Sequence, residues 1–248
     1  MTTSMSSRVD RGILGIIPAR QASKGIAGKN LVELAGRPLV QHTLDAACSA
    51  KRLTWAMVTS DDLAVLQLGQ TAGLRVLERP KDLATDSASM SEVVAHALLW
   101  AEDNIGKVDD IVLLQPTSPF RTATDIDEAL AVYMSSKRES LISVCKVTQH
   151  PNECLVLGPD GEPHPVKLIG QSADSDGRHK YPTCYFIDGA IYITSVDRFR
   201  RTGSFADEQS ALHEIPRSHG IDIDHPFDLA VARALAAYAR TAPEVFTL

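Results

Sequence analysis

Residues Ile13 to Asn30 read ILGIIPARQASKGIAGKN, an apolar run that breaks into a loop rich in cations and glycine. Ile13, Leu14, Ile16 and Ile17 form a short apolar, largely β-branched run, which predicts a buried strand. Pro18 ends the ladder, because it has no N–H to donate. The loop that follows carries Arg20, Lys24 and Lys29, with Gly25 and Gly28 for tight turns and Ser23 and Asn30 as hydrogen-bonding groups. Such a loop at the carboxyl end of the first strand of an α/β sheet is where a polyphosphate sits. It is not a Walker A loop: Gly28-Lys29 is followed by Asn30 rather than Ser or Thr, and Ser23 stands where the motif's first glycine belongs. It is not a dinucleotide fingerprint either, since G-x-G-x-x-G is missing. A plain solvated loop explains the concentration of cations and glycines less well than a nucleotide site does.

Beyond this loop, strand and helix signals alternate at short intervals. Pro38 to Ala50 has a helical apolar period, with Pro38 suited to the first turn. Trp55 to Ser60 reads as a second strand, ending in Ser60-Asp61-Asp62, a natural N-cap for a helix from Leu63 to Ala72. Leu74 to Leu77 is a third strand, Ser89 to Glu102 a helix, Ile111 to Leu114 a fourth strand, and Thr124 to Met134 a further helix. This rhythm means βαβ units and a parallel sheet covered on both faces. Leu141 to Val147 and Ile187 to Thr194 read as strands, and Pro226 to Arg240 as an amphipathic helix. Thr148 to Pro182 is rich in Pro, Gly, Asp and His without helical period, and reads as a β-rich excursion serving as a lid or a dimer interface.

Composition bounds the function. A chain of 248 residues, 44% hydrophobic and 23% charged, supports one good core with a small appendage. The formal net charge of −6 argues against a general nucleic-acid binder, because no basic tract is present to displace counterions. The 4 cysteines form no C-x-x-C pair, so neither a disulfide framework nor a zinc site is indicated; Cys48 and Cys145 read as small core hydrophobes. Met1 to Arg11 is polar, lacks the apolar segment of a secretory signal, and is expected to be a disordered leader. No apolar run is long enough to span a membrane, and a reducing cytoplasm is the expected compartment.

Four further clusters sit where ligand residues belong. Arg79, at the end of the third strand, can reach a phosphate or ribose, and Asp86, Ser87 and Ser89 serve either a ligand or the cap of the next helix. Gln115-Pro116-Thr117-Ser118-Pro119-Phe120-Arg121 is a proline-braced loop whose Gln115, Thr117 and Ser118 offer hydrogen bonds to a substrate. Arg178-His179-Lys180, in the excursion, would bind a carboxylate or phosphate if they lie beside a small-molecule site. In Ile221-Asp222-Ile223-Asp224, alternation along a strand puts both carboxylates on one face. Asp224 before His225-Pro226 also reads as an N-cap, but Asp222 does not, so the pair points to a metal, and Mg²⁺ suits it. The 8 histidines form no metal-ligating spacing, and with no G-x-S-x-G and no placed Cys/His pair a covalent hydrolytic mechanism has no support.

These segments together resemble the acylneuraminate cytidylyltransferases, the CMP-sialic acid synthetase family. The resemblance rests on IPARQASKGIAGKN (Ile17 to Asn30), RPKDLATD (Arg79 to Asp86), LLQPTSPFR (Leu113 to Arg121), DGAIYI (Asp188 to Ile193) and GIDIDHPFDL (Gly220 to Leu229), in order across the chain after the leader. It implies a Rossmann-like, three-layer nucleotidyltransferase fold over residues 12–248, with a mostly parallel sheet and 148–186 as a small β-rich dimerisation or lid excursion. It further implies that Arg20, Ser23, Lys24, Lys29, Asn30, Arg79, Asp86 and Ser89 contact CTP, and that Gln115, Thr117 and Ser118 meet the sugar. Asp222 and Asp224 would hold Mg²⁺, and Arg178 and Lys180 of a homodimer would reach the neighbouring subunit's sugar carboxylate. Arg20, Lys29, Asp222 and Asp224 would carry catalysis. The expected reaction joins CMP to a nonulosonic acid (sialic, legionaminic or related), releasing pyrophosphate. A Kdo-type or pseudaminic acid remains an alternative acceptor, and a non-catalytic nucleotide-binding paralogue an alternative role. Three positions depart from the pattern: Phe186 and Asp188 stand where the family commonly has Arg and Asn, and Ala27 replaces a frequent proline.

Overall fold

The computed structural model describes residues 11–166, 181–239 and 241. The first strand, β1 (Ile13–Pro18), is buried along its whole length, and this explains its unbroken apolar run. Successive side chains leave it on opposite faces. Ile13 and Ile17 enter one apolar layer, while Leu14 and Ile16 enter the other. A miniature ladder of β2 (Glu33–Leu34) and β3 (Arg37–Pro38) leads into helix α1 (Leu39–Ser49), with Pro38 at its N-cap. The chain continues through β4 (Trp55–Ser60), α2 (Leu63–Thr71), β5 (Arg75–Glu78), α3 (Met90–Asn104), β6 (Asp110–Leu113), α4 (Ala123–Ser135) and β7 (Ser140–Lys146). After a short antiparallel hairpin, β8 (Leu155–Leu157) with β9 (Pro163–Pro165), come β10 (Tyr185–Ser195), α5 (Val196–Thr202), β11 (Ala211–Glu214) and α6 (Pro226–Ala239).

Seven strands form the central sheet in the order β11-β7-β10-β6-β1-β4-β5. All neighbours are parallel except β10, which runs antiparallel between β6 and β7. One face is covered by α1, α2 and α4 through Leu44, Val65 and Leu130, the other by α3 and α5 through Val94, Leu98 and Phe199. The expected three-layer, mostly parallel α/β architecture is therefore present. The pairing of β10 with β7 slips between Ile187 and Tyr192, around Gly189 at φ 77°. Bulges of this kind re-aim side chains beside functional sites.

Local signals explain the helix starts. Asp62 accepts the N–H of Ala64 at 2.9 Å and caps α2. Ser89 and Glu92 make a reciprocal capping box on α3, as Thr122 and Asp125 do on α4. The elements β2, β3, α5 and β11 are additions to the sequence reading. Cys145 is buried as expected, but Cys48 is exposed, its thiol directed at the carbonyl of Ala72. Arg11, placed in the leader by composition, is tied to the fully buried Asp110 carboxylate at 2.7 Å. The rest of the leader lies outside the described residues. Among the described residues no helix is long and apolar enough to cross a membrane.

Candidate active site

A third, smaller apolar cluster determines the site. Ile223 is fully buried with Leu34, Leu39 and Phe120 and with Leu229, Ala232 and Ala236 of α6. Residues 221–224 are not a strand; the Ile223 N–H donates to the Thr117 carbonyl at 2.9 Å and ties the segment to the neighbouring loop. The alternation still has its expected effect. Burial of Ile223, about 1.5–3 kcal/mol of apolar transfer, turns Asp222 and Asp224 outward on either side of it. Asp224 does not cap α6 with its side chain. That work falls to Asp228, which accepts the N–H groups of Asp224 and His225 at 3.0 and 2.7 Å.

The Asp224 carboxylate is instead paired with Lys29, whose ammonium lies 2.9 Å from Asp224 Oδ1 and 2.9 Å from the Ile223 carbonyl. Lys29 is nearly covered, with 11% of its side chain exposed, against 60% for Asp224. Crowding by the surrounding protein raises the pKa of Asp222; the Asp224 charge adds to this, while the Thr117 hydroxyl and Lys29 oppose it. The first loop meets this segment at closest approach through Gly25, where a Cβ would lie 1.9 Å from the Asp224 carbonyl oxygen. Gly28 serves differently, supplying a turn at φ 60°.

A cavity of about 300 Å³ opens at the carboxyl ends of β1, β5 and β6. Its wall includes Arg20, Ser23, Lys29, Asn30, Arg79, Asp86, Gln115, Thr117 and Asp224. Arg20 donates to Asp86 at 2.7 Å and to the Thr85 carbonyl at 3.2 Å, and Lys24 stands 3.6 Å from the same Asp86. Asn30 is buried and its amide donates to the Arg20 carbonyl at 2.8 Å, fixing the loop that presents the arginine. Arg79 is buried with Nη2 on the Thr59 carbonyl at 2.8 Å; burial lowers its pKa to about 10, which leaves it protonated at neutral pH. Ser89 does not line the cavity, although Ala88 and Met90 do; its hydroxyl is engaged in the α3 cap. Ser118 is buried, with its hydroxyl unpartnered among the described residues. Arg178 and Lys180 lie outside the described residues.

Arg121 and the Cys184–His150 pair were not singled out from sequence, whereas Asp188 and Phe186 were noted there as departures from the family pattern. Arg121 is buried behind the proline-braced loop and donates to the Ala190 carbonyl and to Thr43 Oγ1, both at 2.7 Å, and to the Gln115 carbonyl at 3.2 Å. It therefore fixes the backbone from which Gln115 faces the cavity. Asp188 is buried under Gly220, accepting from Ser143 and from the Ala190 N–H, and burial raises its pKa. Phe186 is largely exposed. The excursion also brings Cys184 Sγ within 3.2 Å of His150 Nε2, a pair hidden by its 34-residue separation.

A family model described as Cytidylyltransferase matches residues 14–164. The chain is 30% identical over 84% of its length to the N-acylneuraminate cytidylyltransferase of Streptococcus agalactiae serotype V, covering 49% of that protein. Thus it spans about half the length of that curated relative. It is 31% identical over 90% of its length to the CMP-N,N'-diacetyllegionaminic acid synthase of Legionella pneumophila, covering 95% of that protein. Among solved structures, a CMP:2-keto-3-deoxy-manno-octonic acid synthetase complexed with CTP superposes over 92% of this chain and 99% of its own, with TM-score 0.68 and 17% identity, a likeness of fold. The chain belongs to the cytidylyltransferase family.

Proposed function

We propose that this chain transfers CMP from CTP to a nonulosonic acid of the sialic or legionaminic type. The observation that carries the reading is the 300 Å³ cavity at the carboxyl ends of the parallel strands, whose wall brings together the cations Arg20, Lys29 and Arg79 and the Asp224 carboxylate that Lys29 pairs. The sugar's anomeric hydroxyl oxygen forms a bond to the α-phosphorus of CTP, the bond from that phosphorus to the pyrophosphate oxygen breaks, and the hydroxyl proton leaves to a base at the site. Catalysis by this chain is positioning and charge neutralisation: Arg20 and Lys29 receive the phosphates, and Arg79 supports the floor. Names of the relatives support both the nucleotide and the acid.

Asp222 and Asp224 fit Mg²⁺, which takes one or two carboxylates and completes its shell with water and substrate phosphates. Among the described residues there is no cluster of three or more ligating side chains, so substrate oxygens would have to supply the remainder. When bound, the ion would neutralise charge on the reacting phosphates. The excursion 148–186 is the proposed homodimer contact. Leu155, Val156 and Leu157 of β8 and Tyr185, Phe186 and Ile187 of β10 all expose apolar side chains, a concentration that marks interaction surfaces. Sedimentation equilibrium that finds only monomer would remove this contact.

The decisive experiment is pyrophosphate release by the purified protein with CTP, Mg²⁺ and a panel of N-acetylneuraminate, N,N'-diacetyllegionaminate and 3-deoxy-manno-octulosonate. No release with any acid defeats the proposal, and the pattern of rates assigns the acceptor. Gln115→Ala should raise the acceptor KM by about tenfold and leave the CTP KM within about twofold, since the amide faces the cavity from a backbone held by Arg121. A larger effect on CTP would place Gln115 with the nucleotide.

A further inference from the structure

The two segments that carry Gln115 and Asp222 are joined at their bases by a buried charge pair. His219 Nδ1 lies 2.8 Å from Asp125 Oδ2, and the two side chains keep only 5% and 6% of their surface exposed. Asp125 stands in the first turn of α4, directly after the proline-braced loop. Its Oδ2 also accepts the N–H and the hydroxyl of Thr122, at 2.7 and 2.8 Å. Burial works against the charge on Asp125, but the bonds from His219 and Thr122 outweigh it and hold its pKa below the usual carboxylate value. An ionised carboxylate only accepts, so His219 Nδ1 carries a proton and donates it.

His219 closes a tight turn after β11: its N–H and that of Gly220 both donate to the Pro216 carbonyl, at 2.8 and 3.3 Å. Gly220 then passes close over Asp188, where a Cβ would lie 3.0 Å from the Asp188 Cβ. Four residues after His219, Ile223 donates its N–H to the Thr117 carbonyl at 2.9 Å. Asp222 is thus held between two ties, His219 to the cap of α4 and Ile223 to the proline-braced loop. A buried ion pair is weak evidence for stability, because lost hydration offsets most of the attraction, and apolar side chains of similar volume often serve as well. What this pair adds is direction. One ring edge must meet one carboxylate oxygen, and that fixes the turn at Pro216–Gly220 against the start of α4.

We infer that His219 is a positioning residue for the transfer: through Asp125 it sets the carboxylate segment in register with the loop that bears Gln115, and it touches no substrate itself. The inference rests on the cytidylyltransferase reading above. It assigns control of rate, rather than of nucleotide affinity, to a histidine outside the wall of the nucleotide cavity. A displacement of about an ångström at a reacting centre costs about a hundredfold in rate, so a tie this close to Asp222 has leverage on catalysis without any contact to the reactants.

The test compares His219→Asn, whose amide N–H can stand where the Nδ1–H does, with His219→Gln, which moves the donor one bond farther from the backbone. His219→Gln should lower kcat by about thirtyfold with the CTP KM within about threefold, whereas His219→Asn should keep kcat within about threefold of wild type. Tyr133→Phe, which removes a buried hydrogen bond to Asp110 from the same helix, controls for lost stability: Tm should fall while kcat stays within about twofold. Equal losses of kcat in the Asn and Gln variants, or a kcat in His219→Gln within about twofold of wild type, overturn the assignment. Asp125→Asn approaches the pair from the helix, keeping the size but not the charge, and should lower kcat by about tenfold. An unchanged kcat there overturns the assignment even where His219→Gln does not fold. A wild type that releases no pyrophosphate with any acid defeats the cytidylyltransferase reading instead. The tie is then read by amide hydrogen exchange, where the Ile223 N–H should exchange about tenfold faster in His219→Gln or Asp125→Asn, and exchange at the wild-type rate in both overturns it.

Discussion

Asp222→Asn is expected to reduce CTP-dependent pyrophosphate release by about a hundred- to a thousandfold, without lowering the melting temperature. Asparagine keeps the shape and the hydrogen bond from Thr117 but removes the negative charge. Stability should not suffer, because the site works against ionisation of this carboxyl: crowding and the neighbouring Asp224 both raise its pKa. A charge kept where the fold disfavours it serves a cation that arrives with substrate. The measurement is initial rate across a Mg²⁺ titration. Asp222→Asn should remain slow at saturating metal, and wild-type rates in that variant would remove Asp222 from the metal assignment.

Gly25→Ala should cost about a hundredfold in kcat/KM while the sheet remains folded. The added methyl would sit 1.9 Å from the Asp224 carbonyl oxygen and 3.4 Å from His225 Nδ1. Backbone atoms cannot yield as a side-chain tip would, so the first loop and the carboxylate segment must separate by more than an ångström. A shift of that size at a reacting centre is worth about two orders of magnitude in rate. Lys29, which bridges the two segments through Asp224 and the Ile223 carbonyl, would lose one or both contacts. Gly28→Ala is the control: it meets the left-handed φ of 60° but nothing within 4 Å, so its cost is about 1 kcal/mol of stability and little rate. Equal effects from both alanines would mean that loop flexibility, not close approach, is what Gly25 provides.

Much of this fold was legible because its central strands are buried on both faces. Trp55–Ser60 was read with its bounds intact, and β1 and β6 were read within a residue, since continuous apolar runs between turn signals leave little ambiguity. The edge strand β11 was not read: its four residues, ALHE, alternate only between partly buried and exposed. Helix α5, VDRFRRT, hid because its buried Arg198 looks like a surface charge until Asp207 is brought to 2.8 Å. In the site, residues whose chemistry is local were visible, as with the cationic loop and the Asp pair. Arg121 was not, because its role depends on Thr43 and Ala190, 78 and 69 residues away. The duty of Ser89 was balanced between cap and ligand in sequence, and its hydroxyl is found engaged with Glu92.

The small cluster beneath Ile223 has a consequence for how this protein can vary. Its side chains contribute little to the two main layers, yet they set the spacing of Asp222, Asp224 and Lys29. Leu229 or Ala232, on the inner side of α6, touches no substrate in any reading given above. Even so, a change of volume at either would tilt the helix and carry the carboxylates with it. At these positions the tolerance to substitution is therefore governed by catalytic registry as well as by packing, and a survey of stability alone would take this face of α6 for an ordinary one.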